Sequence, residues 1–184
     1  LATLNENIPV LMASSSGIMH NKFVIVDAES VDNSWVLTGS TNFTSNNLYT
    51  DFNNIVCVQD QSLAKAYTIE FNEMWGSDGL NYDEENSRIG YAKTDNTPHD
   101  FIIGGKQVEM FFSPSDNPTE RIIKVAESID HDGYFALLSF TKSEIKDVLV
   151  EKHSSGMEIK GIIESIDDAG GQYNNLLSAG IDVL

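Results

Sequence analysis

A short apolar strand that follows a polar turn is the segment that most constrains the fold of this chain. Residues 17–27 read Gly-Ile-Met-His-Asn-Lys-Phe-Val-Ile-Val-Asp, and the run from Lys22 to Asp27 has the β-branched composition of a strand. Alternate residues of a strand point to the same face, so His20 and Lys22 are predicted to lie side by side at its start. An imidazole beside an ammonium group suits an anionic substrate that is attacked by a nitrogen nucleophile.

The rest of the first 80 residues predicts further strands and one long helix. Strands are predicted for three other apolar segments, residues 8–12, 35–38 and 54–58. A helix is predicted from Asp60 to Trp75, because apolar residues recur along it at helical spacing. Cys57 is the one cysteine and lies in an apolar run, so it is predicted to be a buried side chain without an internal disulfide.

A second series of strands and helices occupies residues 107–184. Strands are predicted for residues 108–112, 134–138, 157–163 and 180–184, and helices are predicted to begin at Asn117, at a capping box over 141–144, and at Gln172. This alternation predicts an α/β fold with a mainly parallel or mixed sheet flanked by helices. Residues 81–106 are polar, acidic and rich in turns, and they are predicted to be a linker in which His99 is solvated, with short strands near residues 88–92 and 101–103.

Composition narrows the class of function. The 184 residues are 41% hydrophobic, which is enough for a core, and the formal net charge is -17 from 28 acidic and 11 basic residues. Sequence-independent binding to DNA depends on lysines and arginines that neutralise phosphates, so this balance argues against it. No apolar run approaches the roughly 20 residues that a transmembrane helix needs.

Two motifs in the first half carry a family resemblance. The pattern His20-x-Lys22-(x)4-Asp27 is followed by Gly39-Ser40-Thr41-Asn42-Phe43, and a predicted strand precedes the second motif. Together they resemble the phospholipase D superfamily, the HKD phosphodiesterases. The resemblance implies a phospholipase D-like fold and a metal-independent phosphodiesterase without a cofactor, which works through a phosphohistidine. It implies a phospholipid or a nucleic acid as substrate, and either hydrolysis or transfer to an alcohol.

The resemblance also implies a role for each matched residue. His20 would be the nucleophile or the general acid, and Lys22 would contact the phosphate oxygens. Asn42 would donate to the phosphate, with Ser40 at its flank. Asp27 is carried over as the third residue of the motif, although a turn residue at the end of the strand is the competing interpretation.

The chain departs from the family pattern at one position. Many family members have an acidic residue soon after the asparagine, and this residue orients a catalytic imidazole. Phe52 stands at the expected position here, between Asp51 and Asn53. The resemblance therefore leaves the group that orients His20 undetermined, with Asp51 and Asn53 as the substitutes at hand.

An internal similarity predicts how the chain is organised. Residues 7–11, Asn-Ile-Pro-Val-Leu, resemble residues 180–184, Gly-Ile-Asp-Val-Leu, as though a repeat begins again at the end. Residues 1–80 are then expected to be the C-terminal half of one phospholipase D repeat, and residues 107–184 the N-terminal half of the next. The two halves would form a circularly permuted single repeat or exchange with a partner chain.

Two functional classes follow from this organisation. Phospholipase D active sites pair two His-x-Lys motifs, and one is present here. The second motif is expected from a homodimer or from a missing repeat. The competing hypothesis is a catalytically silent phosphate-binding fragment.

Overall fold

The computed structural model describes residues 8–12 and 17–184, and the chain divides into two compact units between Asp116 and Asn117. In the first unit, short strands precede and follow one long helix. Its elements are β1 Phe23–Val26, β2 Trp35–Gly39, α1 Ser45–Tyr49, β3 Ile55–Gln59, α2 Gln61–Trp75, a 3-10 helix Gly90–Ala92, β4 Asp100–Ile103 and β5 Lys106–Glu109.

The sheet of the first unit is antiparallel. Its strand order is β1-β2-β3, and Val36 in the middle strand pairs with Ile25 on one side and Val58 on the other. A mainly parallel or mixed sheet was predicted, and the parallel alternative is wrong for this unit. The connection from β1 to β2 spans only residues 27–34, whereas a parallel crossover needs about a dozen residues or more.

Helix α2 confirms the predicted helix and shows why it begins and ends where it does. The Asp60 carboxylate accepts a hydrogen bond from the Leu63 amide at 2.9 Å, which caps the first turn. Gly76 ends the helix with φ 81°, in the left-handed region that glycine adopts at lowest cost. The buried face of α2 packs on the sheet and contributes Leu63, Ala64, Ala66 and Tyr67 to the core.

Residues 81–106 were predicted to be a linker, but part of this segment packs in the first unit. Phe101, on β4, lies in the same hydrophobic cluster as Val36 and Tyr67, and Lys93 is buried. Strands β4 and β5 form a separate antiparallel hairpin, with Phe101 opposite Val108. The strand predicted near residues 101–103 is confirmed by β4, whereas the strand predicted near residues 88–92 is wrong, because a 3-10 helix spans Gly90–Ala92. The burial of Lys93 could not be predicted, because a single buried side chain in polar sequence produces no periodicity.

The second unit has the predicted alternation of helices and strands. Its elements are α3 Pro118–Glu127, β6 Asp132–Leu137, α4 Ser143–Ser154, β7 Glu158–Ile163, α5 Tyr173–Ser178 and β8 Asp182–Val183. Strands β6, β7 and β8 form a parallel sheet in that order. Parallel pairing is therefore confirmed here, where a helix lies between each pair of consecutive strands. The fold as a whole is mixed α/β.

The helix starts of the second unit were predicted with mixed success. Asn117 is the N-cap residue of α3 and Pro118 is its first residue, as predicted, although the Asn117 side chain forms no capping bond. The capping box predicted at Thr141 is wrong, because α4 begins at Ser143 with Lys142 as the N-cap residue.

Two predictions for exposed or terminal segments also need correction. Cys57 is exposed, like most side chains of β3, because the side of the sheet to which it points is not covered. Residues 8–12 form no strand, while Asn7 and residues 13–16 of the predicted loop lie outside the described residues. In the part of the chain that the structure describes, no helix is long and apolar enough to cross a bilayer.

Gly161 in β7 generates a stability prediction. A Cβ atom at this position would lie 2.1 Å from the Phe135 ring, which is held edge-on against Phe140. We expect Gly161→Ala to lower the free energy of unfolding by about 1–3 kcal/mol, because a packed ring must shift. Urea unfolding followed by circular dichroism measures this loss.

Gly133→Ala in the neighbouring strand β6 is the matched control. A Cβ atom there would meet the Ile129 Cδ1 atom at 2.7 Å, and that atom is the mobile end of an aliphatic side chain. We expect a smaller loss of stability than for Gly161→Ala. Equal losses in the two variants would contradict the packing argument.

Candidate active site

The His-x-Lys segment lies just before β1, in irregular backbone. His20 is exposed, Lys22 is half-buried, and the Lys22 Nζ donates to the His20 carbonyl oxygen at 2.8 Å. Lys22 lines a cleft of about 210 Å³, whereas His20 lines a neighbouring cleft of about 500 Å³. The two side chains are adjacent in sequence, but the structure does not place the imidazole in the cleft of the ammonium group.

Asn42 shares the cleft of Lys22. It lies in the loop after β2, and its side chain is exposed. Its backbone amide donates to the Asn47 Oδ1 at 2.8 Å, which fixes the loop on the first turn of α1. The structure therefore brings together Lys22 and Asn42, the two residues expected to contact phosphate oxygens.

Ser40 holds this loop to the start of β3. Its hydroxyl donates to the Asn53 Oδ1 at 2.9 Å and accepts from the Asn54 amide at 3.1 Å. Gly39 makes this close approach possible, since a Cβ atom there would lie 2.2 Å from the Asn54 carbonyl oxygen. These contacts make Ser40 a residue that shapes the loop presenting Asn42.

Asp27 lies in the turn between β1 and β2, at the end of β1 opposite to Lys22. Its carboxylate accepts from the Asn33 Nδ2 at 2.8 Å, and its carbonyl oxygen accepts from the Ser30 amide and the Ser34 hydroxyl, both at 2.8 Å. Five residue steps at about 3.3 Å each separate it from Lys22 along the strand. The contacts are those of a turn residue, and a role for Asp27 in the chemistry stays a prediction.

Phe52 stands where many family members have an acidic residue, and its neighbours Asp51 and Asn53 form hydrogen bonds elsewhere. Phe52 is fully exposed, the Asp51 carboxylate accepts from the Asn47 Nδ2 at 2.6 Å, and Asn53 is engaged with Ser40. Among the described residues, no hydrogen bond joins His20 to either substitute. The group that orients the imidazole is therefore not found in this segment.

Sequence reasoning missed a buried ion pair beneath the His-x-Lys segment. The Glu70 side chain on α2 is 1% exposed, and its Oε1 lies 2.5 Å from the Lys93 Nζ. The same oxygen accepts a hydrogen bond from the Asn21 Nδ2 at 3.2 Å. One signal was available in the sequence, because Glu70 interrupts the apolar face of α2 three residues after Tyr67.

The environment of Glu70 perturbs its ionisation. Burial raises the pKa of the Glu70 carboxyl above its ordinary value, and the hydrogen bond and charge of Lys93 oppose this shift without cancelling it. Burial likewise raises the pKa of Tyr67, one turn earlier on the same helix.

His99 belongs to a group of side chains that could hold a metal ion, together with Asp95 and Asp116. The imidazole stacks on the Phe111 ring with centroids 4.4 Å apart, so His99 is not the solvated loop residue that was predicted. Its Nε2 lies 3.0 Å from the Asp95 carboxylate and its Nδ1 lies 2.9 Å from the Met110 carbonyl oxygen. These contacts account for both ring nitrogens without an ion.

Comparison with known proteins points to one family. The family model described as "Cardiolipin synthase, PLD-like domain" matches residues 2–75. A mitochondrial cardiolipin hydrolase of Xenopus tropicalis is 41% identical over 70 residues, which cover 38% of this chain and 31% of the relative. The protein of that name from Xenopus laevis is 41% identical over 61 residues, covering 33% of this chain and 27% of the relative. The match thus spans less than a third of either curated relative.

The raised pKa of Glu70 generates a prediction about stability and pH. Between the ordinary value of 4.5 and the higher native value, the folded protein binds more protons than the unfolded chain, so this group lowers stability as pH rises. Replacing the pair in Glu70→Gln/Lys93→Met removes the effect. We expect the unfolding free energy of the wild type, relative to this variant, to fall as the pH rises above the ordinary value of 4.5 and through the native pKa.

The exposed pair Glu120–Lys124 is the matched control, with 2.7 Å between its Nζ and Oε1 atoms. The hydrogen bond from Lys124 lowers the pKa of Glu120, so its contribution to stability is present above the ordinary value and is lost as pH falls through the native pKa. Glu120→Gln/Lys124→Met should therefore give a pH trend of opposite sign. Trends of the same sign for the two pairs would show that burial does not govern Glu70.

Proposed function

Residues 2–75 belong to the phospholipase D superfamily, and on this premise we propose that the chain cleaves phosphodiesters through a phosphohistidine at His20. The observation that carries the proposal is the pairing of Lys22 with Asn42 around one cleft, next to the exposed His20. An ammonium group and an amide donor at one cleft suit the oxygens of a phosphate.

The proposed reaction has two steps. An imidazole nitrogen of His20 attacks phosphorus, a P–N bond forms, and the P–O bond to the leaving alcohol breaks as a second imidazole donates a proton to that oxygen. The second imidazole then removes a proton from water, whose oxygen attacks phosphorus and releases His20. An alcohol in place of water gives transfer instead of hydrolysis.

Lys22 and Asn42 stabilise the charge that builds up on the phosphate oxygens. The Lys22 ammonium has three donors, so its bond to the His20 carbonyl oxygen leaves donors for a phosphate. His20 is exposed, and exposed side chains change rotamer within nanoseconds, so the imidazole can turn toward the cleft of Lys22. Ammonium groups supply the positive charge in this scheme, and we propose that no metal is required.

The proposal assigns supporting roles to the other two matched residues. Asp27 acts on the turn after β1, through its bond with Asn33. Ser40 acts on the loop that presents Asn42, through its bonds with the start of β3.

The second imidazole must come from outside the motif seen here. We propose that a homodimer or the remainder of a longer protein supplies it, and that residues 1–80 and 107–184 are halves of successive repeats. A permuted single repeat and a domain-swapped dimer are both compatible with this division. A catalytically silent phosphate-binding fragment is the second candidate, because one His-x-Lys motif is present where phospholipase D active sites pair two.

A phospholipid is the substrate class that we propose. The relatives that match the site-bearing segment are named cardiolipin hydrolases. The net charge of -17 also opposes the long-range attraction of a nucleic acid polyanion. A phosphodiester nuclease is the alternative within the same superfamily.

His20→Ala provides the first test of this proposal. We expect the wild type to hydrolyse bis(p-nitrophenyl) phosphate equally well with and without EDTA, and the variant to lose roughly 10³-fold or more in rate. His131→Ala is the matched control, because that imidazole is also exposed and lies in the second unit. Full activity in His20→Ala would contradict the proposal, and light scattering on the active species determines whether it is a dimer.

A direct competition tests the substrate class. We expect release of phosphatidate from vesicles that contain cardiolipin, and no cleavage of a single-stranded oligonucleotide at the same enzyme concentration. Lipid product is followed by mass spectrometry and the oligonucleotide by gel. Cleavage of the oligonucleotide alone would reassign the chain to the nuclease alternative.

A further inference from the structure

The buried pair Glu70–Lys93 lies directly beneath the His-x-Lys segment. Both side chains are nearly inaccessible, at 1% and 3% exposed. Glu70 projects from α2, which packs on β1 and β2, and Lys93 follows the 3-10 helix at Gly90–Ala92. The pair therefore connects two segments that are 23 positions apart in the sequence.

Packing around the pair fixes the position of the carboxylate. The Lys93 Nζ lies 5.5 Å from the centroid of the Phe112 ring, and this ring packs edge-on against Tyr67 on α2. A carboxylate held in this way is a stationary acceptor, because its helix and its cation are both embedded in the core.

A contribution to folding stability does not by itself explain the presence of a buried ion pair. Removing two charges from water is costly, and apolar side chains of similar size often stabilise a core as well or better. Glu70 does make one further contact that an apolar residue could not, since its Oε1 accepts a hydrogen bond from the Asn21 Nδ2 at 3.2 Å. Asn21 is the residue between His20 and Lys22.

The location of Asn21 makes this contact significant for the site. Residues 17–22 precede β1 and have no strand pairing of their own. Asn21 lines both the cleft of Lys22 and the cleft of His20. A hydrogen bond that holds Asn21 restrains the backbone on both sides of it. It therefore restrains the Cα positions from which the His20 and Lys22 side chains extend.

We propose that Glu70, held in place by Lys93, is a positioning residue that fixes His20 and Lys22 through Asn21. This inference rests on the proposed phosphodiesterase function, because the positions of His20 and Lys22 affect catalysis only if these residues act on a phosphodiester. The tether itself, the hydrogen bond from Asn21 to Glu70, can be measured without turnover.

Two double variants test the role of the acceptor. Glu70→Gln/Lys93→Met removes both charges but keeps a carbonyl oxygen for Asn21, whereas Glu70→Leu/Lys93→Met removes both charges and the acceptor. Neither variant leaves an unpaired charge in the core, so both are expected to fold. Asn21→Ala removes the donor at the other end of the same bond.

Asn72→Ala is the matched control. Its Nδ2 donates to the Asp78 carboxylate at 2.8 Å, so the change deletes an amide–carboxylate bond of the same kind near the end of α2. This bond touches no residue of the proposed site.

The first readouts are the ¹⁵N order parameters of the His20 and Lys22 amides and the affinity for inorganic phosphate. We expect the order parameters to fall from about 0.8 to below about 0.6 in Asn21→Ala and in the Leu double variant, with phosphate binding weakened several-fold. The Gln double variant keeps the acceptor but loses the Lys93 ammonium group that holds it, so both properties should lie between those of the wild type and those of the Leu double variant. Asn72→Ala should match the wild type. Unchanged order parameters in Asn21→Ala and in the Leu double variant would overturn the proposal.

Turnover of bis(p-nitrophenyl) phosphate separates this inference from the proposed function. A positioning role predicts a fall in kcat of about 10- to 100-fold in Asn21→Ala, with a several-fold rise in KM that matches the loss of phosphate affinity. An equal kcat in Asn21→Ala and the wild type would overturn the positioning role. The wild type could show no turnover while the order parameter of the His20 amide still falls when the tether is removed. That result would overturn the proposed function and support the tether.

Discussion

The packing of one aromatic residue, Tyr67, between two phenylalanines is the interaction on which the first unit depends. Its ring lies edge-on to Phe23 and to Phe112, with centroids 5.1 Å apart in each case. Phe23 is the first residue of β1, Tyr67 lies on α2, and Phe112 follows β5. Three segments distant in sequence are thus joined at one point, and each buried aromatic side chain contributes a large apolar area there. The His-x-Lys segment ends at the residue before Phe23, so this packing also sets where the site lies.

The site combines a rigid support with irregular backbone. Lys22 and Asn42 lie in segments that are not strands, yet each segment is attached to an ordered element. The loop of Asn42 is held by the side-chain bonds of Ser40 to the start of β3. In a strand, each side chain must point to one of the two faces of the sheet, whereas an irregular segment can point its side chains in other directions. Contacts with neighbouring helices and strands then limit the motion of the irregular segment. In our proposals, the buried Glu70–Lys93 pair performs this limiting role for His20 and Lys22.

Sequence reasoning succeeded where a pattern repeats and failed where one residue decides. The three strands of the first sheet and helix α2 were predictable, because apolar runs rich in β-branched residues and helical spacing extend over several residues. Residues 81–106 were predicted to be a linker with two short strands, and the burial of Lys93 was missed because it is a single buried side chain within polar sequence. His99 was predicted to be solvated for the same reason, although its imidazole stacks on Phe111. Cys57 was predicted to be buried because its neighbours are apolar, but most side chains of β3, including Cys57, are exposed.

The sequence by itself determined the resemblance of residues 2–75 to the phospholipase D superfamily and the mixed α/β composition. It also determined the candidate motif residues, because these depend on residue identity and short spacing; they are His20, Lys22, Asp27, Ser40 and Asn42. Only the tertiary structure decided which candidates meet. It placed Lys22 with Asn42 at one cleft, His20 at another, and Asp27 in a turn at the far end of β1. It also brought Glu70 and Lys93 together beneath Asn21, a contact between residues 21, 70 and 93 that no local pattern encodes. The physical reason is that proximity across a fold depends on how whole elements pack, whereas a motif records only the order of residues along the chain.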